Sequence, residues 1–420
     1  MLDAMLRYTF IQFVLVLALL NLPLAFGATT QSLSPGQAGS TVYLPLLSAP
    51  IHNRLSFGAS IDFDGEIWAY LIDANGARQQ QLPLPMVGPT STSPTWSPDG
   101  KQIALFHAST QNGTVPAQQY SLATVAVATN QIVMQIILTD TQPLSAPVWS
   151  PTANDIAFRT SQGLHLLREH MTQPEVISTT TEPYSVAFDP VWSPDGRWLL
   201  LADCVVRVER PYATSCVPHQ NGIAVEYLVW APNSQQVGIE TWEDSKSVVR
   251  VADVNDLAHH RVVISGSDGL EWLWSPDSRM LAMAATTRDG QRHLRLVPID
   301  GTATREVPLT KPIGNLLAWS PDGTQIVYTQ PYTSGNTTLV FIRPDGTVRT
   351  AIPLPKIYDP LQTYSVVWSA DSSALVLTRT EVSRGCPDHG SCREFEVIKP
   401  DGTVLLPYRF IRTLPEWSPQ

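Results

Sequence analysis

The chain has 420 residues, 35 of them proline, and a formal charge of 27 − 37 = −10, with only 15% charged residues against about 25% in an average domain. So much proline argues against a fold of long helices, because an internal proline removes a hydrogen bond and strikes the preceding turn. A negative balance without any Lys/Arg cluster argues against nucleic acid as a partner, since phosphate-backbone binding needs several cations on one face.

In chain order, Arg7 precedes a mostly apolar stretch from Tyr8 to Leu20, and Pro23 with Ala25-Phe26-Gly27 supplies a break and small residues. Residues 1–27 read as a secretory signal peptide, and the protein as exported: secreted, periplasmic or cell-surface. The alternative is an uncleaved anchor, since the apolar stretch approaches the lower limit of a membrane span; a membrane enters only in that case. Residues 28–53, rich in Gln, Ser, Gly, Thr and Pro, read as a linker with room for one short strand at Val42 to Leu47.

Residues 54–420 carry one recurring signature. It stands as Pro94-Thr95-Trp96-Ser97-Pro98-Asp99-Gly100 and again around Trp149, Trp192, Trp230, Trp274, Trp319, Trp368 and Trp417. These tryptophans lie 53, 43, 38, 44, 45, 49 and 49 residues apart, the period of a four-stranded propeller blade. Within each unit, Pro fixes φ and Asp-Gly accepts the positive φ of a tight hairpin; a short apolar run such as Ile103-Ala104-Leu105-Phe106 follows. A second turn, as at Arg343-Pro344-Asp345-Gly346, precedes a fourth strand. The ends complement each other: Leu55 to Ser60, Ile67 to Ile72 and Gln79 to Leu84 are strands without an anchor, and Leu414 to Gln420 is an anchor without strands. The expectation is an all-β chain forming a single β-propeller of eight four-stranded blades, closed by pairing a C-terminal strand with N-terminal ones. The unit from Trp192 to Trp230 is the weak point, because beyond Leu199 to Val208 only Gly222 to Val225 reads as a further strand; seven blades are the alternative.

Four cysteines form two local pairs, Cys204 with Cys216 and Cys386 with Cys392, and two local disulfides are the simplest of three connectivities. A zinc site is disfavoured, because neither pair has the short internal spacing of structural zinc ligands.

The repeated units resemble the TolB-like propeller repeat, in which Trp-Ser-Pro-Asp-Gly precedes an apolar strand and a second Asp-Gly turn precedes the outer strand. The resemblance covers nearly everything from Arg54 to Gln420, with altered turns at Thr152-Ala153-Asn154, Asn233-Ser234 and Ala370. It implies a propeller of the kind found as periplasmic protein-binding modules, as secreted proteins, and as gating domains joined to serine peptidases.

A peptidase would need a further α/β domain with a Gly-x-Ser-x-Gly elbow, and the chain contains no such pentapeptide. His259-His260 could be a metal pair, but neighbours on a strand point to opposite faces, so loop histidines are the better reading. Asp62 to Glu66 resembles part of a calcium loop whose later ligands are missing. Asn112-Gly113-Thr114 and Asn336-Thr337-Thr338 are glycosylation sequons. No metal, cofactor or catalytic residue is expected.

Trp242, in the charged segment Glu240 to Asp244, and Asp268, Glu271 and Trp272, ahead of an innermost strand, are the loop candidates for a binding surface. The leading expectation is a monomeric, exported, non-enzymatic propeller that binds a protein, peptide or envelope glycan through loops at one face of the ring. The alternative is a polysaccharide-acting lyase or hydrolase with acidic residues at the tunnel mouth.

Overall fold

A computed structural model of the chain describes residues 54–59, 67–86, 94–109, 119–138, 143–179, 189–201, 203–218, 223–244, 246–266, 271–286, 290–331, 337–354, 363–382, 391–411 and 416–418. These residues form eight antiparallel four-stranded sheets and no helix. The sheets are the blades of a β-propeller. Blade 1 is the composite: Glu416–Trp417 is its innermost strand, followed outward by Arg54–Ala59, Ile67–Asp73 and Gln79–Met86. Blade 2 runs from Thr95–Trp96 to Gln131–Leu138, blade 3 from Val148–Trp149 to Glu175–Ser178, and blade 4 from Val191–Trp192 to Thr214–Cys216. Blades 5 to 8 start at Ile223–Trp230, Glu271–Trp274, Leu316–Trp319 and Thr363–Trp368.

Ring closure is direct. Leu55 pairs with Trp417 and Ser56 with Glu416, the Ser418 N–H donates to Arg54 O at 2.8 Å, and the Arg54 N–H donates to Ser418 Oγ at 3.1 Å.

Alternation along the strands explains where the core sits. Ile103 and Leu105 pack against blade 1, while Ala104 and Phe106, on the opposite face of the same strand, pack against blade 3. Each described apolar cluster therefore lies between two consecutive blades; there are eight, and the one joining blade 8 to blade 1 contains Phe395, Phe57 and Trp417.

The anchor tryptophans bridge these seams. The indole N–H of Trp149, Trp192, Trp230 and Trp417 donates to the carbonyl of Thr95, Val148, Val191 and Val367 respectively, each in the innermost strand of the preceding blade, at 3.0–3.2 Å. Trp319 instead donates to Gly323 O in its own turn, and the buried Nε1 atoms of Trp274 and Trp368 have no partner.

Eight sheets exclude the seven-bladed alternative. The short blade 4 is complete: residues expected as one run from Leu199 divide into Trp198–Leu201 and Cys204–Arg207, and Thr214–Cys216 is the outermost strand. Ile223 to Val225, expected as a further strand of that unit, belongs to the innermost strand of blade 5. Cys204 and Cys216 are directly opposed across the outer strand pair and form a disulfide. Two of the altered turns, at Asn233-Ser234 and after Ala370, keep their shape: Ser234 and Ser372, like Ser278, hold φ of 61°, 58° and 59° where other units have glycine, whereas the turn at Thr152-Ala153-Asn154 has no residue of positive φ. Each of these serines accepts, at Oγ, a backbone N–H from the preceding blade: Ser234 from Asp195, Ser372 from Asp322 and Ser278 from Asn233. That bond offsets the cost of a left-handed residue other than glycine.

The signal and linker readings, the calcium reading at Asp62 to Glu66, Asp268, Asn112, Asn336 and the bond expected between Cys386 and Cys392 all involve positions outside the described residues.

Candidate functional site

Antiparallel strands divide the connections between two faces of the ring. Turns from the first to the second strand and from the third to the fourth emerge on one face; connections from the second to the third strand, and from each blade to the next, emerge on the other. The seven described first-to-second turns are all five or six residues long. On the opposite face the connections range from two to nine residues within blades and from four to twelve between them.

The turn face consumes its own polar groups. Ser320 Oγ donates to Asp322 Oδ1 at 2.6 Å and accepts the Gln325 N–H at 2.9 Å, while Asp322 Oδ1 accepts the Thr324 N–H at 3.0 Å. The same set recurs at Ser97, Ser193, Ser275 and Ser369. Burial pushes the carboxyl pKa of Asp277, Asp322 and Asp371 up, but the serine hydroxyls and turn N–H groups outweigh it and hold all three below 3.8. These carboxylates are turn braces.

On the opposite face, the position three residues before the anchor tryptophan carries a carboxylate in two blades, Asp189 before Trp192 and Glu271 before Trp274. Each reaches the backbone of the corresponding position in an adjacent blade. Asp189 Oδ1 accepts the Ala146 N–H at 2.7 Å, and Glu271 Oε2 accepts the Leu316 N–H at 2.5 Å. Each also has an arginine: Arg159 acts on Asp189 through its charge, and Arg292 Nη2 lies 3.2 Å from Glu271 Oε2 while its Nη1 donates to Gly314 O at 2.9 Å. Crowding around the Asp189 carboxyl pushes its pKa up, opposed by the Ala146 N–H and by Arg159.

Between this mouth and the turn face, the innermost strands surround the channel, and the residue just before the anchor is apolar in six blades, with Thr95 and Glu416 at that position in blades 2 and 1. Val191, Val229 and Val367 are 50%, 37% and 44% exposed, although their strands are the innermost of their sheets. An exposed side chain on an innermost strand opens onto the channel. The site is thus a channel with exposed valines on its wall and two arginine-accompanied carboxylates at one mouth.

The residues singled out in the sequence occupy different surroundings. Glu271 is at the mouth. Trp272, expected in a loop, is a buried strand residue whose indole N–H donates to Glu240 Oε2 at 2.7 Å. Gly238 makes that seam possible, since a Cβ there would stand 2.4 Å from the Trp272 ring. Trp242 is 38% exposed and lies on the second strand of blade 5, paired with Ala224 and Ser247. Behind it, Arg250 is held by Thr241 and by Glu243, 2.6 Å away, and Glu240 also accepts from Ser247 Oγ. His259 and His260 make local contacts, to Asp256 Oδ2 at 2.7 Å and to Leu257 O at 3.1 Å. No group of three His, Cys, Asp or Glu with metal-ligand geometry occurs among the described residues. Asp189 escaped the sequence reading; aligning the units on their tryptophans exposes it, because it stands in the same register as Glu271.

No protein-family model matches the chain, and no curated protein matches it. Solved structures do. A structure described as a eukaryotic initiation factor matches 88% of this chain and 99% of its own, at 11% identity and a TM-score of 0.51. TolB from Acinetobacter baumannii matches 88% of this chain and 67% of its own, at 12% identity and a TM-score of 0.39. A putative TolB from Agrobacterium tumefaciens matches 59% of this chain and 90% of its own, at 17% identity and a TM-score of 0.37. At these identities the likeness is one of fold.

Proposed function

We propose that the protein is an exported, non-enzymatic binding propeller of the TolB-like kind, which takes an extended protein segment at the channel mouth opposite the Trp-Ser-Pro turns. The observation that carries this reading is the contrast between the two faces. One face is a uniform set of turns whose polar groups are bonded to each other. The other bears connections of widely varying length around a channel with exposed valines and with carboxylates at its rim. Variable connections on a rigid frame are where binding residues concentrate. Apolar wall and polar rim are the composition of a protein-binding surface. The Cys204–Cys216 bridge supports export, since such bonds persist in oxidising compartments.

A photoreactive residue placed at Val191 or Val367 tests this in the native host, with one at Thr302 on the turn face as control. Adducts with one recurrent protein from the channel positions, and none from Thr302, are expected. Depolymerisation of a polysaccharide by the purified protein, abolished by Asp189→Asn or Glu271→Gln, would overturn the reading in favour of an enzyme.

A further inference from the structure

Among the described residues, the outermost strand of each blade has an edge without a strand partner, and proteins protect such edges with shortness, proline or charge. Seven of the eight outer strands follow that rule. Those of blades 3, 4 and 6 have four, three and two residues. Blade 1 has Pro83 and Pro85 in its outer strand, blade 7 has Arg349 and Pro353, and blade 8 has Pro407 and Arg409. The outer strand of blade 5 is long but carries Asp256, His259, His260 and Arg261.

Blade 2 is the exception. Its outer strand, Gln131–Leu138, has eight residues and contains neither proline nor charge. Ile136 and Leu138 turn inward to the seam with blade 3, whereas Ile132, Val133 and Ile137 are 42%, 58% and 47% exposed. Its irregularity, a bulge where Val125 pairs with Ile132 and Thr124 with Met134, sits near the start of the strand and leaves Met134 to Leu138 in regular register.

We propose that this edge pairs with the same edge of a second copy of the chain, forming a two-fold dimer through a continuous eight-stranded sheet. The sequence of the strand selects this occupant. A two-fold axis normal to an antiparallel sheet sets residues of equal parity opposite each other, so an axis at Gln135 places Val133 against Ile137 of the copy, Met134 against Ile136, and Gln135 against itself. Exposed aliphatic side chains then meet across the junction, and the two central amides can bond to each other. Each chain has a net charge of −10, which opposes self-association, and this strand adds no like charge at the junction. The proposed dimer differs from the monomer expected from the sequence, and it leaves the channel mouth free, because the strand lies at the rim of the ring.

The test is sedimentation equilibrium of the purified protein. Wild type is expected to approach twice the chain mass with rising concentration. Gln135→Lys sets two cations on the axis, and Gln135→Glu two anions; each variant is expected to remain monomeric with an unchanged melting temperature. An equimolar mixture of the two is expected to recover the dimer mass, because Lys then faces Glu. Val348→Lys, on a strand already guarded, is expected to dimerise like wild type. A wild type that stays monomeric, even one that takes up an extended peptide along this edge, overturns the proposal. So does a dimer that persists in both Gln135 variants, or a mixture that stays monomeric. The assay is independent of whether the channel binds anything.

Discussion

Eight tryptophans at one repeat position look equivalent in the sequence, yet their indole N–H groups separate them. Trp192 is bonded to Val148 O across the seam, whereas Trp274 is buried without an Nε1 partner. Phenylalanine removes similar ring surface at both sites but strands an acceptor only at the first. Trp192→Phe is therefore expected to destabilise by about 1 kcal/mol more than Trp274→Phe in denaturant unfolding; equal losses would contradict the role given to the bridging bond. His165 is the second residue with a distinct signature. It is buried, stacks on Phe158 with centroids 5.0 Å apart, and bonds Thr160 Oγ1 through Nε2 at 2.8 Å, while Nδ1 has no partner. Burial pushes its pKa below the ordinary 6.5. Because the folded value is the lower one, the folded state binds fewer protons there; its contribution to stability is complete above pH 6.5 and is lost as pH falls through the folded value. The wild-type melting temperature is expected to fall more steeply below pH 6.5 than that of His165→Leu, and parallel curves would contradict this.

At the scale of strands and blades, the repeat was legible because one residue type does one job in every unit. Pro, Asp and Gly specify the turn, the alternating apolar residues specify two buried faces, and the 46-residue average period specifies the blade. Blade 4 was harder to read because its strands have two to four residues, too few for alternation to appear. Trp272 was read as a loop residue for a related reason: a four-residue innermost strand gives little warning of where it begins. The composite blade has the sharpest consequence. Its innermost strand holds Trp417, which is buried and bonded to Val367 O, so truncation before Glu416 removes a seam as well as a strand. Loss of a buried tryptophan alone costs about 3–5 kcal/mol. The truncated chain is expected to melt far below wild type, and unchanged melting would contradict closure by these residues.

For the molecule as a whole, the ring provides rigidity without a central core, because each of the eight apolar clusters serves one pair of blades. The ring of eight blades and its closure were readable, whereas the mouth was readable only in part. Glu271 was visible as a charge ahead of an anchor. Asp189 and its relation to Ala146 and Arg159 were not, because contacts between blades join positions more than 25 residues apart in sequence. In the proposed function binding belongs to the channel and bracing to the turn face, and the affinity of the crosslinked partner measures that division most directly. Calorimetric titration of wild type, Val229→Glu and Thr302→Glu with that partner is predicted to show at least about a tenfold loss for Val229→Glu, the equivalent of about 1.4 kcal/mol, and no loss for Thr302→Glu. Equal affinity for all three proteins, with melting temperatures unchanged, would contradict it.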